Sequence, residues 1–193
     1  FMNQANSSRA RLLILLLAVA ALSIAAVACG SDSSDGVGSE LDGPIAKIDA
    51  TDRIYTIEDL TATGFKDNKS YDVEGLPSAI AVHYGLWGPT SAGKFEFEAR
   101  FYASHADALA FGVDYAEEST GPDAVLLTGE QRWEEGIRER RACQGVAGGH
   151  QVGTCATAKY FDFIIVGNMI LMCPGKDSIG SLETCAEFMG VVQ

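Results

Sequence analysis

From Lys94 to Tyr102 the chain alternates strictly. Phe95, Phe97, Ala99 and Phe101 interleave with Lys94, Glu96, Glu98, Arg100 and Tyr102. A period of two is that of a strand with one buried face and one wet face, so the charged set is expected to meet water. Ser104 then stands as a helix cap with Asp107 at the third position after it. The helix should run to about Glu118, with Leu109, Val113 and Ala116 on its inward stripe. Thr120-Gly121-Pro122 ends it. Upstream, Ser78 to Trp87 reads as a second strand, joined to the first as a hairpin through Gly88 to Gly93.

A second strand pair follows at Tyr160 to Val166 and Met169 to Cys173, with Gly167-Asn168 as a two-residue turn. Both strands are apolar on both faces apart from Asp162, which places them at the centre of a sheet. Asp177 or Ser178 opens a last helix reaching about Met189, with Leu182, Cys185 and Met189 on one face. Two shorter helices are expected over Thr56 to Thr63, stopped by Gly64, and over Glu130 to Ala142, weakened by Gly136. The order is hairpin, helix, connection, hairpin, helix. It predicts an α+β fold: a largely antiparallel sheet of about four strands in two hairpins, with helices packed on one face. The two ββα units are a candidate structural duplication, although their sequences do not match.

The N-terminal pattern is different in kind. Arg9 and Arg11 precede Leu12 to Ala28, 17 residues without a charge. Ala26-Val27-Ala28 and then Cys29 and Gly30 follow. A basic start, an apolar run and small residues at its end describe a signal peptide over residues 1–28. Ala26 to Cys29 resembles the lipobox of bacterial lipoproteins, with Ala26 where Leu is commoner. The resemblance covers about 30 residues and implies diacylglycerol on Cys29 and attachment to a lipid bilayer. Ordinary secretion would cut the same bond. An uncleaved anchor is the other alternative, because 17 apolar residues lie at the lower limit for a span. Residues 29–44, rich in Ser, Asp and Gly, read as the lipidated cysteine and a flexible tether of about 20 Å r.m.s. span. Residues 45–193 then form a single domain, long enough to bury a core of its own.

The five cysteines support lipidation. An odd cysteine in an exported chain needs a role. Assigning Cys29 to lipid leaves Cys143, Cys155, Cys173 and Cys185 to pair as two disulfides in an oxidising compartment. Four cysteines allow three pairings; Cys143–Cys155 and Cys173–Cys185 are favoured because each closes a short loop. Without the signal segment 12 basic residues face 26 acidic ones, a net charge of −14. That balance disfavours nucleic acid and anionic headgroups as nonspecific partners.

Several motifs fall short of a chemistry. Gly88 to Lys94 matches the first part of a P-loop, but Phe95 stands where a magnesium ligand is needed and a strand follows instead of a helix. Ser31 to Asp42 has offsets similar to a calcium loop but begins with Ser. Cys143, His150 and Cys155 lack a recognised zinc spacing, and a disulfide around the Gly-rich loop is favoured. No metal or cofactor is expected. His83, His105 and His150 show no sequence pairing with a nucleophile, and no G-x-S-x-G, H-E-x-x-H or C-x-x-C occurs.

The candidate contacts are therefore His150 on the Gly-rich loop, Trp87 and Trp133 as binding anchors or core, and Arg140 and Arg141. The two arginines belong to a basic cluster that fits either a solvated helix face or an anion or carboxylate contact. No catalytic residue is assigned. The leading expectation is a membrane-anchored lipoprotein of the cell envelope, on the extracytoplasmic side, whose non-enzymatic domain binds a small ligand or an envelope protein. An exported hydrolase without a recognisable motif and a structural envelope component are the alternatives.

Overall fold

A computed structural model describes residues 45–88, 94–142 and 157–192. Cys29, Cys143, His150, Cys155 and the signal and tether segments lie outside the described residues.

The domain is built on a six-stranded, mostly antiparallel sheet. Its strands are β1 (Ile48–Asp49), β2 (Lys66–Tyr71), β3 (Ala79–Trp87), β4 (Phe95–Tyr102), β7 (Tyr160–Val166) and β8 (Met169–Pro174), in the order β1-β7-β8-β4-β3-β2. β5 (Arg141–Ala142) and β6 (Thr157–Ala158) form a separate small pair. The helices are α1 (Ile57–Thr61), α2 (His105–Asp107), α3 (Val113–Glu117) and α4 (Ser178–Met189). A π-helical turn, Ala108–Gly112, joins α2 to α3.

Both expected hairpins form. β3 pairs with β4 from Ala79↔Tyr102 to Trp87↔Phe95. β7 pairs with β8 around Gly167-Asn168, and β8 joins the hairpins through β4. Asn168 bolts this turn in place. Its side-chain oxygen accepts from the Tyr55 amide at 2.6 Å, and its amide donates to the Tyr55 and Tyr102 carbonyls at 3.1 and 2.8 Å. The caps also fall as expected. Ser104 Oγ accepts from the Asp107 amide at 3.1 Å, and Asp177 accepts from the Gly180 amide at 2.8 Å. The Thr56 amide donates to Asp59 at 2.8 Å and starts α1.

The sheet is wider than four strands. β2 has no apolar alternation, and all its residues but Tyr71 are exposed. It is a polar edge with lysines and a bulge, features that block further pairing. β1 is two residues long and pairs parallel to β7. Beyond β1, side chains cover the β7 edge. Ser181 Oγ accepts from the Phe161 amide at 3.1 Å, and Asp162 accepts from the Phe163 amide and from Lys47, both at 2.8 Å.

Helices cover both faces of the sheet, which corrects the expectation of one covered face. β8 shows why, because its successive residues serve two cores. Met169, Leu171 and Cys173 pack with Phe97, Ala99, Phe101, Ile164 and the α4 residues Leu182, Cys185 and Phe188. Ile170 and Met172 pack on the other side with Tyr102, Phe163, Ala108 and Ala116. A two-fold axis normal to the sheet would keep both helices on one face, so that operation does not superpose the two ββα units. Cys173 and Cys185 form a disulfide with Cα atoms 5.6 Å apart, tying the end of β8 to α4. Closing its loop restricts the unfolded chain by about 3 kcal/mol.

Two helix expectations need correction. Of the stripe expected after Ser104, Ala116 is buried and Val113 packs against the second core, but Leu109 stays 37% exposed and Ala108 and Gly112 turn inward instead. The π-turn adds one residue to the coil and rotates the stripe. It lets Gly112 lie flat on the sheet, where a Cβ would fall 2.5 Å from Ile170 and 2.6 Å from the Tyr102 hydroxyl. The helix expected over Glu130 to Ala142 is a series of turns. Gly136 adopts φ +76°, which a right-handed helix does not permit. Among the described residues no helix is long and apolar enough to cross a membrane.

Candidate functional site

β4 carries the site. Its register sets Tyr84 and Met172 beside Glu98, and Val82 and Ile170 beside Arg100. Glu98, Arg100 and Tyr102 thus share one face of the sheet, the face expected to be wet. All three are fully buried. The π-turn helix and the turns of residues 118–140 lie over them.

Arg140 comes down from those turns onto Glu98. Its Nε donates to Glu98 Oε2 at 2.9 Å and its Nη2 to Oε1 at 3.1 Å, a two-pronged pair. Arg100 Nε donates to the same Oε1 at 2.8 Å. The rest of the Arg140 fork gathers its own turn. Nη1 reaches Gln131 Oε1 at 2.9 Å and the Trp133 carbonyl at 3.3 Å, and Nη2 also bonds the Glu135 carbonyl. The Trp133 ring lies against both guanidinium groups, 5.1 Å from Arg100 and 4.6 Å from Arg140. Its indole N–H donates to the Asp72 carbonyl at 3.2 Å. Arg100 Nη2 donates to Ser119 Oγ at 3.1 Å.

The centre has more donors than acceptors. Arg100 Nη1, Gln131 Nε2 and the hydroxyls of Tyr71, Tyr102 and Tyr160 are buried without a hydrogen bond among the described residues. Burial, with Glu98 nearby, raises all three phenols, and Tyr102 is pushed up to about 12. These hydroxyls are donors at every physiological pH. Burial lowers the Arg100 guanidinium from its ordinary value, and Glu98 opposes that shift. Buried charges of this kind are costly unless each is paired, so the centre is energetically exposed to any loss of a partner.

The expected contacts divide between core, edge and undescribed residues. Trp133 and Arg140 are buried in the centre; Arg140 is not part of a solvated helix face, because no helix forms there and its fork is consumed internally. Arg141 is half-buried in β5, where it pairs with Ala158. Trp87 is half-buried against Phe97 and Phe188, with ring centres 6.5 and 5.0 Å away. His150 lies outside the described residues. His83 bonds Asp67 at 3.0 Å on the β2 side, and His105 bonds the Gly167 carbonyl at 2.7 Å. A surface hollow of about 380 Å³ beside His105, Asp52 and Ile54 is lined by the β1–α1 connection and the start of α2. No group of metal-binding side chains occurs among the described residues. Glu98, Arg100 and Gln131 were not legible as site residues. The one sequence signal for Glu98 and Arg100 is opposite charges two apart on a strand, and Gln131 carries no such signal.

The chain belongs to a family described as a family of unknown function (DUF6810), whose model matches residues 56–193. The matched span holds every member of the polar centre and leaves residues 1–55 outside it. No curated protein and no solved structure matches the chain.

Proposed function

We propose that the chain is a lipoprotein of the bacterial cell envelope, anchored through Cys29, whose sheet domain works outside the cytoplasm as a binding module. The observation that carries the reading is the Cys173–Cys185 disulfide, fully buried between β8 and α4. Structural disulfides belong to oxidising compartments, and cytosolic thiols are kept reduced. The signal-like segment before Cys29 and the Ser/Asp/Gly tether after it supply the export route and the stand-off. For the domain's task, the support is the polar centre, where charged and aromatic groups are gathered on a rigid sheet with donors to spare. Small-ligand sites are concave and mostly apolar with a few polar groups, and the hollow of about 380 Å³ beside His105, Asp52 and Ile54 has that form.

The test is fractionation of cells carrying Cys29→Ala, with fatty-acid labelling of both proteins. The parent is expected in the membrane fraction with label, and the variant in the soluble extracytoplasmic fraction without it. A variant that stays in the membrane would mean that the apolar segment itself is the anchor.

A further inference from the structure

The β7–β8 turn holds two chain segments, one on each side. The Gly167 amide donates to the Asp49 carbonyl at 3.0 Å, and Asn168 accepts from the Tyr55 amide at 2.6 Å, which fixes the β1–α1 connection. His105 Nδ1 bonds the Gly167 carbonyl at 2.7 Å, which fixes the start of α2. The hollow of about 380 Å³ is lined from these two segments, so both of its rims are tied to one turn. Ala50, Ile54 and Ala106 give it an apolar wall, and Thr51, Asp52 and His105 give it polar groups. Its volume lies at the lower end of the range for ligand clefts, which suits a small molecule.

The polar groups present acceptors. A carbonyl only accepts, so His105 Nδ1 carries the proton, and Nε2 of the neutral ring keeps its lone pair. Asp52 is exposed and has no ion-pair partner among the described residues. Its neighbour Arg53 reaches Asp59 instead, at 2.9 Å. Ser104 Oγ gives its proton to Asp107 at 2.6 Å, and that carboxylate adds a second negative charge at the start of α2. No Lys or Arg lines the hollow. This chemistry selects a cation that donates hydrogen bonds, and Ile54, 55% exposed, offers apolar surface for a carbon chain.

We propose that this hollow binds a small primary amine in its ammonium form, with N–H groups on the Asp52 carboxylate and His105 Nε2 and the carbon chain along Ile54. The proposal rests on the reading of the domain as a binding module and names the class of its ligand.

The His105 ring nitrogens report on the site directly. The isotopically labelled full chain, purified in detergent, is titrated with butylammonium, tetramethylammonium, butanol and butyrate at constant ionic strength. The ring-nitrogen resonances of His105, assigned by their loss in His105→Gln, are followed together with the heat of binding. The expected result is a saturable shift with butylammonium and a Kd of about 1 mM. Asp52→Asn alters an exposed side chain, so it should fold as the parent does and weaken Kd about tenfold. Tetramethylammonium has no N–H to donate, and an equal response to it would be bare charge attraction and would overturn the proposal. So would butylammonium binding that Asp52→Asn leaves unchanged. A chain that responds as well or better to butanol or butyrate loses the amine and keeps the binding module. A chain that responds to none of the four loses both.

Discussion

The two faces of β4 hold their layers by different physics. On one face Phe97, Ala99 and Phe101 meet α4 in a wholly apolar core around Phe188. On the other, Glu98 and Arg100 meet Arg140, Gln131 and Ser119 through directed hydrogen bonds. The first face needs volume and apolarity, and tolerates exchange of one hydrophobic side chain for another. The second needs each partner, because a buried charge left alone is penalised by its lost hydration. One strand thus carries a forgiving surface and an exacting one, and the exacting one is where a specific role is sought.

Glu98→Gln breaks the comparison hardest. It keeps the shape but removes the charge that holds two guanidinium groups, so urea denaturation should show a loss of about 3–5 kcal/mol. On the opposite face, Leu171→Met is the matched control. It should cost less than about 1.5 kcal/mol in the same measurement. If the two losses are similar, the faces are not different in kind. The smallest effect lies outside both faces, at the start of α1. Asp59→Ala should cost about 1 kcal/mol at pH 7, because Asp59 caps the Thr56 amide. That hydrogen bond lowers the Asp59 pKa below its ordinary 3.8. A lowered folded pKa gives stability that is present above the unfolded value and lost as pH falls through the folded one. The gap between parent and variant should therefore close on acidification below the ordinary value, and a gap that persists there would assign the effect to packing.

Much of this fold was legible, because period-two and period-3.6 patterns with caps are local properties. Both hairpins, the Ser104 and Asp177 caps and the Cys173–Cys185 pair follow from neighbours a few residues apart. β1 and β2 were not legible. One is two residues long and the other has no apolar alternation, so their pairing depends on partners distant in sequence. The site was hidden by the same alternation that revealed its strand. Glu98 and Arg100 occupy polar positions, and the period tells which residues share a face but not whether a second layer covers it. Arg140, which covers them, is 42 residues away from Glu98 and reaches it only because Gly136 breaks the expected helix.

The direct test of the polar centre is a double-mutant cycle on Glu98 and Arg140, using Glu98→Gln, Arg140→Met and the pair. If the two-pronged contact organises this face, the coupling should exceed about 2 kcal/mol, so that the double variant loses clearly less than the sum of the two single losses. Losses that add to within about 0.5 kcal/mol would show that the two residues act independently, and would contradict the account.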